Sequence, residues 1–239
     1  MIIDKLKHRA KSTEKVYDLA LTALNKSELK DIILEHSFSK GNISFSVVQK
    51  PSDMKIVWQL RKKVFVEEIG YPLAASRSKL DRYGIHFLAK KDNVPIGTIS
   101  VFLHSLSGLP IEKTYSLDLS KFKKDSETAE IEKLAVLHTY RAKTISLGLM
   151  VIAYEFIKLC NARYIFIFTL KNQKENINLY KRFGFKELSE FKIFHNKKAV
   201  SMILDIISDS VYERILAMSL RRVNFITQLA KMLSFELKR

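Results

Sequence analysis

The apolar pattern of this chain changes period several times, and the order of those changes leaves few folds open. From KGNISFSVVQKP onward, Ile43, Phe45 and Val47 alternate on one face, which is the period of a strand. Helical spacing follows over 52–66, then a polar loop, GYPLAASRSKLDRYG. IHFLAKK, the turn Asp92-Asn93 and VPIGTISVFL predict a hairpin. Beyond an irregular stretch at 104–127, AEIEKLAV reads as a strand that enters a tight basic turn and then a helix. ARYIFIFTL is a buried-type strand, NQKENINLYKRF a short helix, and FKIF with AVSMILDI a closing hairpin. The order βα–ββ–βα–βα–ββ predicts a mixed α/β fold.

Both ends differ from this middle part. Residues 1–40 show helical spacing through Val16, Leu19, Ala20, Ala23 and Leu24. At the other end Ser210-Val211-Tyr212-Glu213 is a capping box. An apolar stripe through Leu216, Leu220, Val223, Leu233 and Leu237 follows it, interleaved with Arg214, Arg221, Arg222 and Lys231. The expected organisation is an N-terminal helical extension at 1–40, a main domain at 41–207 and a basic amphipathic helix at 208–239. That last helix can pack on the N-terminal helices, dimerise, or lie on an anionic membrane.

The 239 residues are 47% hydrophobic and 28% charged, as in soluble globular proteins. No apolar run reaches the length of a membrane span, and the first residues show no secretory pattern, so a cytoplasmic location is expected. A net charge of +16 favours an acidic partner. The basic residues are dispersed, and neither a helix-turn-helix nor a zinc finger is recognisable, so no specific nucleic acid is expected. No His/Cys cluster has metal spacing, and no glycine-rich nucleotide motif occurs. Cys160 lies on a helix face and reads as packing.

The strand at 129–136 is unusual because a strand bound for a core carries Glu130, Glu132 and Lys133. Buried charges cost several kcal/mol, roughly, unless they are paired or face a cleft. Glu130 and Glu132 point the same way on a regular strand and Lys133 the other way; a bulge would change that. After Val136 the turn brings Arg141, Lys143 and Thr144 to a helix start, where free backbone N–H groups and two cations make a corner suited to phosphate. A carboxylate facing a cleft here is open to general acid/base chemistry, and Glu130 is a candidate. A structural ion pair of Glu130 with Lys133 or Arg61 is the alternative. Arg61 sits among Met54, Trp58, Phe65 and Glu68 at helical spacing and can pair with Glu68. His86 begins a core strand and reads as a satisfied edge histidine rather than a base.

Strand–turn–helix, then strand–helix–LYKRFGF (178–185), resembles the GNAT acyltransferase superfamily over roughly 43–205. The superfamily's pyrophosphate turn corresponds to Arg141-Ala142-Lys143-Thr144-Ile145-Ser146, with both motif glycines replaced. Within the superfamily the chain is most similar to the branch of acyl-homoserine-lactone synthases and N-acyl amino acid synthases. The branch's R-x-x-V-F resembles Arg61-Lys62-Lys63-Val64-Phe65, and its acidic loop resembles Asp81-Arg82-Tyr83-Gly84, with the second Asp lost. Its GT-x-R strand resembles Gly97-Thr98-Ile99-Ser100, with the Arg lost, and its E-[ILV]-S-R-x-A-V strand resembles Glu130–Val136. The losses fall where lactone synthases hold their second substrate, so the resemblance points to the N-acyl amino acid synthase side.

That resemblance implies a GNAT-like, mostly antiparallel sheet flanked by helices, and transfer of an acyl group from a thioester to an amine. The donor it implies is acyl-phosphopantetheine on an acyl carrier protein, or acyl-CoA, as a co-substrate with no permanently bound cofactor. Glu130 would be the base, and Tyr180 would protonate the leaving thiolate. Arg61, Phe65, Asp81 and Lys133 would serve the acceptor and acyl site. Val136, Arg141, Lys143 and Thr144 would hold the donor's arm. Backbone N–H groups near Leu134–Val136 would hold the oxyanion. The competing classes are an acetyl-CoA-dependent N-acetyltransferase and a non-catalytic nucleic-acid or membrane-binding protein on the same scaffold.

Overall fold

The computed structural model describes residues 38–207 apart from 41, 49, 105–107, 124–127, 142–144, 161 and 194–196. The expected terminal helices lie outside these residues, except that Phe38–Lys40 is strand β1 rather than the end of a helix. It pairs antiparallel with β2 (Ile43–Val47), whose backbone groups it satisfies. The chain divides into two compact units, one ending at Ala162 and the other starting at Arg163.

In the first unit β2, β3 (Ile85–Lys91), β4 (Val94–Leu103) and β5 (Thr128–Val136) pair antiparallel in chain order. The hairpin turn is the one expected: Asp92 and Asn93 take φ of 49° and 64°, the left-handed values a tight two-residue turn demands. Helix α1 (Pro51–Arg61) starts with proline, whose missing N–H costs nothing at a helix start. Its Val57 and Leu60 pack on Leu88, and burying such a side chain stabilises by about 1.5–3 kcal/mol. After Arg61 the expected α-helix widens to a π-helix over Lys62–Glu68.

Alternation in β3 gives each sheet face its own cover. Leu88 meets α1, whereas Phe87 meets Phe156 of α4 (Ile145–Leu159), their ring centroids 5.7 Å apart. Helix α4 is apolar almost all round, as a buried helix should be. Gly148 lets it settle on the sheet, because a Cβ there would lie 2.5 Å from the Phe45 ring. The stretch read as irregular holds two short helices, α2 (Pro110–Tyr115) and α3 (Ser120–Lys123). They are too short for periodicity to reveal. The Leu109 amide donates to the Glu112 carboxylate at 2.8 Å and closes the start of α2.

In the second unit β6 (Tyr164–Leu170) pairs with β8 (Lys197–Asp205), and β8 with β7 (Lys186–Ile193), all antiparallel. Helix α5 (Lys174–Phe183) ends at Gly184, whose φ of 106° suits glycine, and the Phe185 amide donates to the Tyr180 carbonyl at 3.0 Å. Strand β7 begins soon after that cap, earlier than the FKIF run implied. The fold is the expected α/β class, with antiparallel pairing and flanking helices.

Candidate active site

The last residue of α1, Arg61, is fully buried on the Leu88 face of the sheet. Its Nη1 donates to Asp81 Oδ1 at 2.9 Å, and Nη2 donates to Ser100 Oγ and to His86 Nδ1, the latter at 3.2 Å. Asp81 sits in a single 3-10 turn, Lys79–Tyr83, that follows the polar loop. Its Oδ2 accepts from Trp58 Nε1 at 3.0 Å and from the Ser78 amide at 2.9 Å, and Oδ1 also accepts from Lys133 Nζ at 2.9 Å. Burial alone would raise the Asp81 carboxyl. Arg61, Lys133 and the Ser78 amide outweigh it and hold the group well below the usual carboxylate range.

His86 closes the network. The Asp81 carbonyl, 2.8 Å from Nε2, can only accept, so Nε2 carries the proton. Nδ1 therefore accepts, and the Ser100 hydroxyl lies 2.7 Å away to donate. Burial, and then the Arg61 charge, lower the His86 pKa to about 4, so the ring is neutral at physiological pH. The histidine is satisfied as expected, but its strand is paired on both sides, so it is not at an edge.

Lys133 reaches Asp81 through a bulge. The β4–β5 register shifts between Thr98 and Ser100, and Lys133 takes a left-handed φ of 55°. This turns its ammonium toward the face of Glu132, with Nζ 3.4 Å from Oε2. Glu130 and Glu132 share that face, opposite Phe102 and Ser100. Glu130 is fully buried, and its Oε2 accepts the Ile111 amide at 2.9 Å. Burial, then the neighbouring Glu132, push the Glu130 carboxyl well above its usual range. Tyr115 is at the other end of α2. Burial and the charges of Glu132 and Glu130 raise its phenol.

The sequence-predicted residues fall into separate groups. Arg61, Asp81 and Lys133 meet directly, with Glu132 beside them and Glu130 next along the strand. The alternative ion pair of Glu130 with Arg61 or Lys133 does not form, because both cations turn to Asp81. Arg61 does not pair with Glu68 either. The π-helix changes the phase after Arg61, and Glu68 instead accepts from Arg141. Arg61 itself is fully buried among Asp81, His86 and Ser100. Phe65, half-buried in the π-helix, stacks on Tyr71 with centroids 6.3 Å apart. Arg141 Nε donates to the Val136 carbonyl at 3.0 Å, so strand end and turn are tied together. Lys143 and Thr144 lie outside the described residues. Tyr180 belongs to the second unit, where burial raises its phenol and its ring tilts against Phe185. Burial also pushes the Cys160 thiol up to about 12, which leaves it unreactive.

Sequence reasoning missed Ser100 and Trp58 as members of the network. A serine inside a strand of apolar neighbours was the available signal for Ser100. Nothing in the sequence marked Trp58 as a donor to Asp81.

Comparison with known proteins defines the class. The structure of FeeM, an N-acyl amino acid synthase from uncultured soil microbes, superposes with a TM-score of 0.59 at 16% identity, covering 72% of this chain and 94% of that one. Arabidopsis thaliana NAA60 in complex with acetyl-CoA superposes at 0.51 with 16% identity, over 69% and 99% of the two chains. A Bacillus subtilis (strain 168) protein described as a candidate acetyltransferase is 26% identical over 146 residues, 60% of this chain and 83% of its own. The fold is that of the GNAT acyltransferases. Within that class the chain matches the N-acyl amino acid synthase FeeM family over residues 57–205 and belongs to it. It is an N-acyltransferase of the GNAT type. Among the described residues no helix is long and apolar enough to cross a membrane.

Proposed function

We propose that this chain moves a long acyl group from an acyl carrier protein thioester to the amine of an amino acid or a similar small acceptor. The observation that carries the acyl-transfer chemistry is the carboxyl pair Glu130 and Glu132 on one face of β5, the strand that runs into the basic turn. An amine must be neutral to attack a thioester, and a carboxyl with a raised pKa is a stronger base than a free one. Glu132 lies at the edge of burial and relays the proton inward to Glu130. The amine nitrogen then bonds to the thioester carbon, and backbone N–H groups near Leu134–Val136 hold the oxyanion. The C–S bond breaks, and Tyr180 gives its proton to the departing thiolate. Arg61 orders the Asp81 loop, and Lys133 and Phe65 border the acceptor and acyl site.

The carrier protein is favoured over coenzyme A by charge and by the turn. The sequence has Thr144 and Ser146 where the superfamily's pyrophosphate turn has glycines, and a phosphopantetheine arm carries one phosphate. Carrier proteins are acidic, and a net charge of +16 steers them inward. Arg141, tied to the Val136 carbonyl and to Glu68, stands at the donor's end of β5, and Lys143 and Thr144 follow it in the sequence. A cytoplasmic site of action fits this donor.

Thiol release from long-chain acyl carrier protein and from the matching acyl-CoA, measured across salt, tests the donor. The carrier should show the lower KM at low salt, and the difference should shrink as salt rises. Reversing Arg141 and Lys143 to Glu should raise KM for the carrier and leave a short acyl-pantetheine thioester nearly unaffected. Equal use of both donors without salt dependence overturns the carrier, and a preference for acetyl-CoA installs the N-acetyltransferase alternative that the Bacillus relative favours.

A further inference from the structure

We propose that Ser100 and His86 are positioning residues that act through Asp81 and Lys133 to set the basicity of the Glu130–Glu132 pair. The inference rests on the proposed role of that pair as the base. Ser100 stands where the resemblance places an arginine. Its hydroxyl accepts a hydrogen bond from Arg61 Nη2 and donates one to His86 Nδ1, 2.7 Å away. His86 Nε2 then fixes the Asp81 backbone carbonyl at 2.8 Å, while Arg61 Nη1 fixes the Asp81 carboxylate at 2.9 Å. Asp81 is thus held at both its main chain and its side chain. Its Oδ1 is the anchor for Lys133 Nζ at 2.9 Å, which keeps the same ammonium 3.4 Å from Glu132. The relay runs from Ser100 through His86 and Arg61 to Asp81, then Lys133, then the carboxyl pair.

The charged and titratable groups facing the pair are known from each element around it. Lys133 lies on the same strand, Arg61 comes from α1, Asp81 from the 3-10 turn and Tyr115 from α2, whose Ile111 amide also bonds Glu130. Lys133 and the Ile111 amide pull the Glu130 carboxyl down, whereas burial and Glu132 push it up. Lys133 is the group whose ammonium is held by Asp81 and also lies beside Glu132. Loosening Asp81 therefore releases Lys133 and lets the Glu130 carboxyl rise further.

The readout is the titration of the Glu130 carboxyl carbon by NMR in the full-length protein, assigned by its loss in Glu130→Gln. The expected result is an upward shift in Ser100→Ala, restored by Ser100→Thr, which keeps the hydroxyl. In Lys133→Met the carboxyl should rise, and adding Ser100→Ala should move it no further. The acidic limb of kcat/KM with long-chain acyl carrier protein and a mixture of amino acids should move to higher pH by the same amount. A Glu130 titration unchanged in Ser100→Ala, or a shift of equal size in the Lys133→Met background, overturns the relay. If Ser100→Ala does not fold, the Lys133→Met and Ser100→Thr titrations decide: no rise in the first, or a shift in the second, overturns it. An acidic limb that does not respond to Glu130→Gln removes the pair as base, whereas a limb that responds there and not in Ser100→Ala removes the relay alone.

Discussion

The Ile111 amide donates to Glu130 Oε2 at 2.9 Å, so the first turn of α2 covers a buried carboxyl near the start of β5. That bond satisfies one oxygen of a fully buried carboxyl, whose pKa burial and the neighbouring Glu132 raise. It also joins the loop region between β4 and β5 to the chemistry on β5.

Glu130→Gln separates charge from shape. Because burial raises the Glu130 pKa in the folded state, its ionisation opposes folding as pH rises above the unfolded value. Gln keeps the acceptor for Ile111 and removes the ionisation. Urea unfolding at pH 4 and pH 8 should show equal stability at the lower pH and a gain for the variant at the higher one. Turnover at neutral pH should fall about 100-fold or more and recover partly at high pH, where free amine is abundant.

Asp81→Asn leaves Arg61 buried without its counter-charge. The cost should be about 3–5 kcal/mol in denaturant unfolding, far more than for an exposed pair. The depressed Asp81 pKa means that wild type has this stabilisation above the unfolded carboxylate pKa and loses it as pH falls through the folded value. The gap between wild type and Asp81→Asn should therefore narrow in acid. Pairing the change with Arg61→Met should cost less than the two single changes added.

Gly148→Ala places a methyl 2.5 Å from the Phe45 ring. Overpacking of this kind costs about 1–3 kcal/mol, and Phe45→Leu in the same chain should recover part of it. Equal midpoints in urea for wild type and Gly148→Ala would show that α4 shifts freely on the sheet.

Tyr180→Phe tests the acid. Burial keeps the Tyr180 phenol protonated through the working pH range, as a proton donor requires. Turnover should fall more for an alkyl thioester than for an aryl thioester, whose thiolate leaves unaided. An equal loss for both donors would mean that Tyr180 serves packing against Phe185.

Local chemistry determined much of this protein from the sequence alone. Asp92-Asn93 adopts the hairpin turn because two short polar residues accept left-handed φ. Gly184 caps α5 for a related reason, and the apolar runs of β4 and β6 became strands where they were expected. The family pattern singled out Arg61, Asp81, Glu130 and Lys133. What they touch was settled only by tertiary structure. Lys133 reaches Asp81, 52 residues away, because one extra residue in β5 turns it across the strand. Arg61 turns from Glu68 to Asp81 because the helix after it widens, which no 3.6-residue spacing reveals. Ser100 and His86 are 14 residues apart on neighbouring strands, and only antiparallel register makes them a hydrogen-bonded pair. Periodicity encodes which face a residue takes, whereas the partner across that face depends on registers and bulges that the whole sheet decides together.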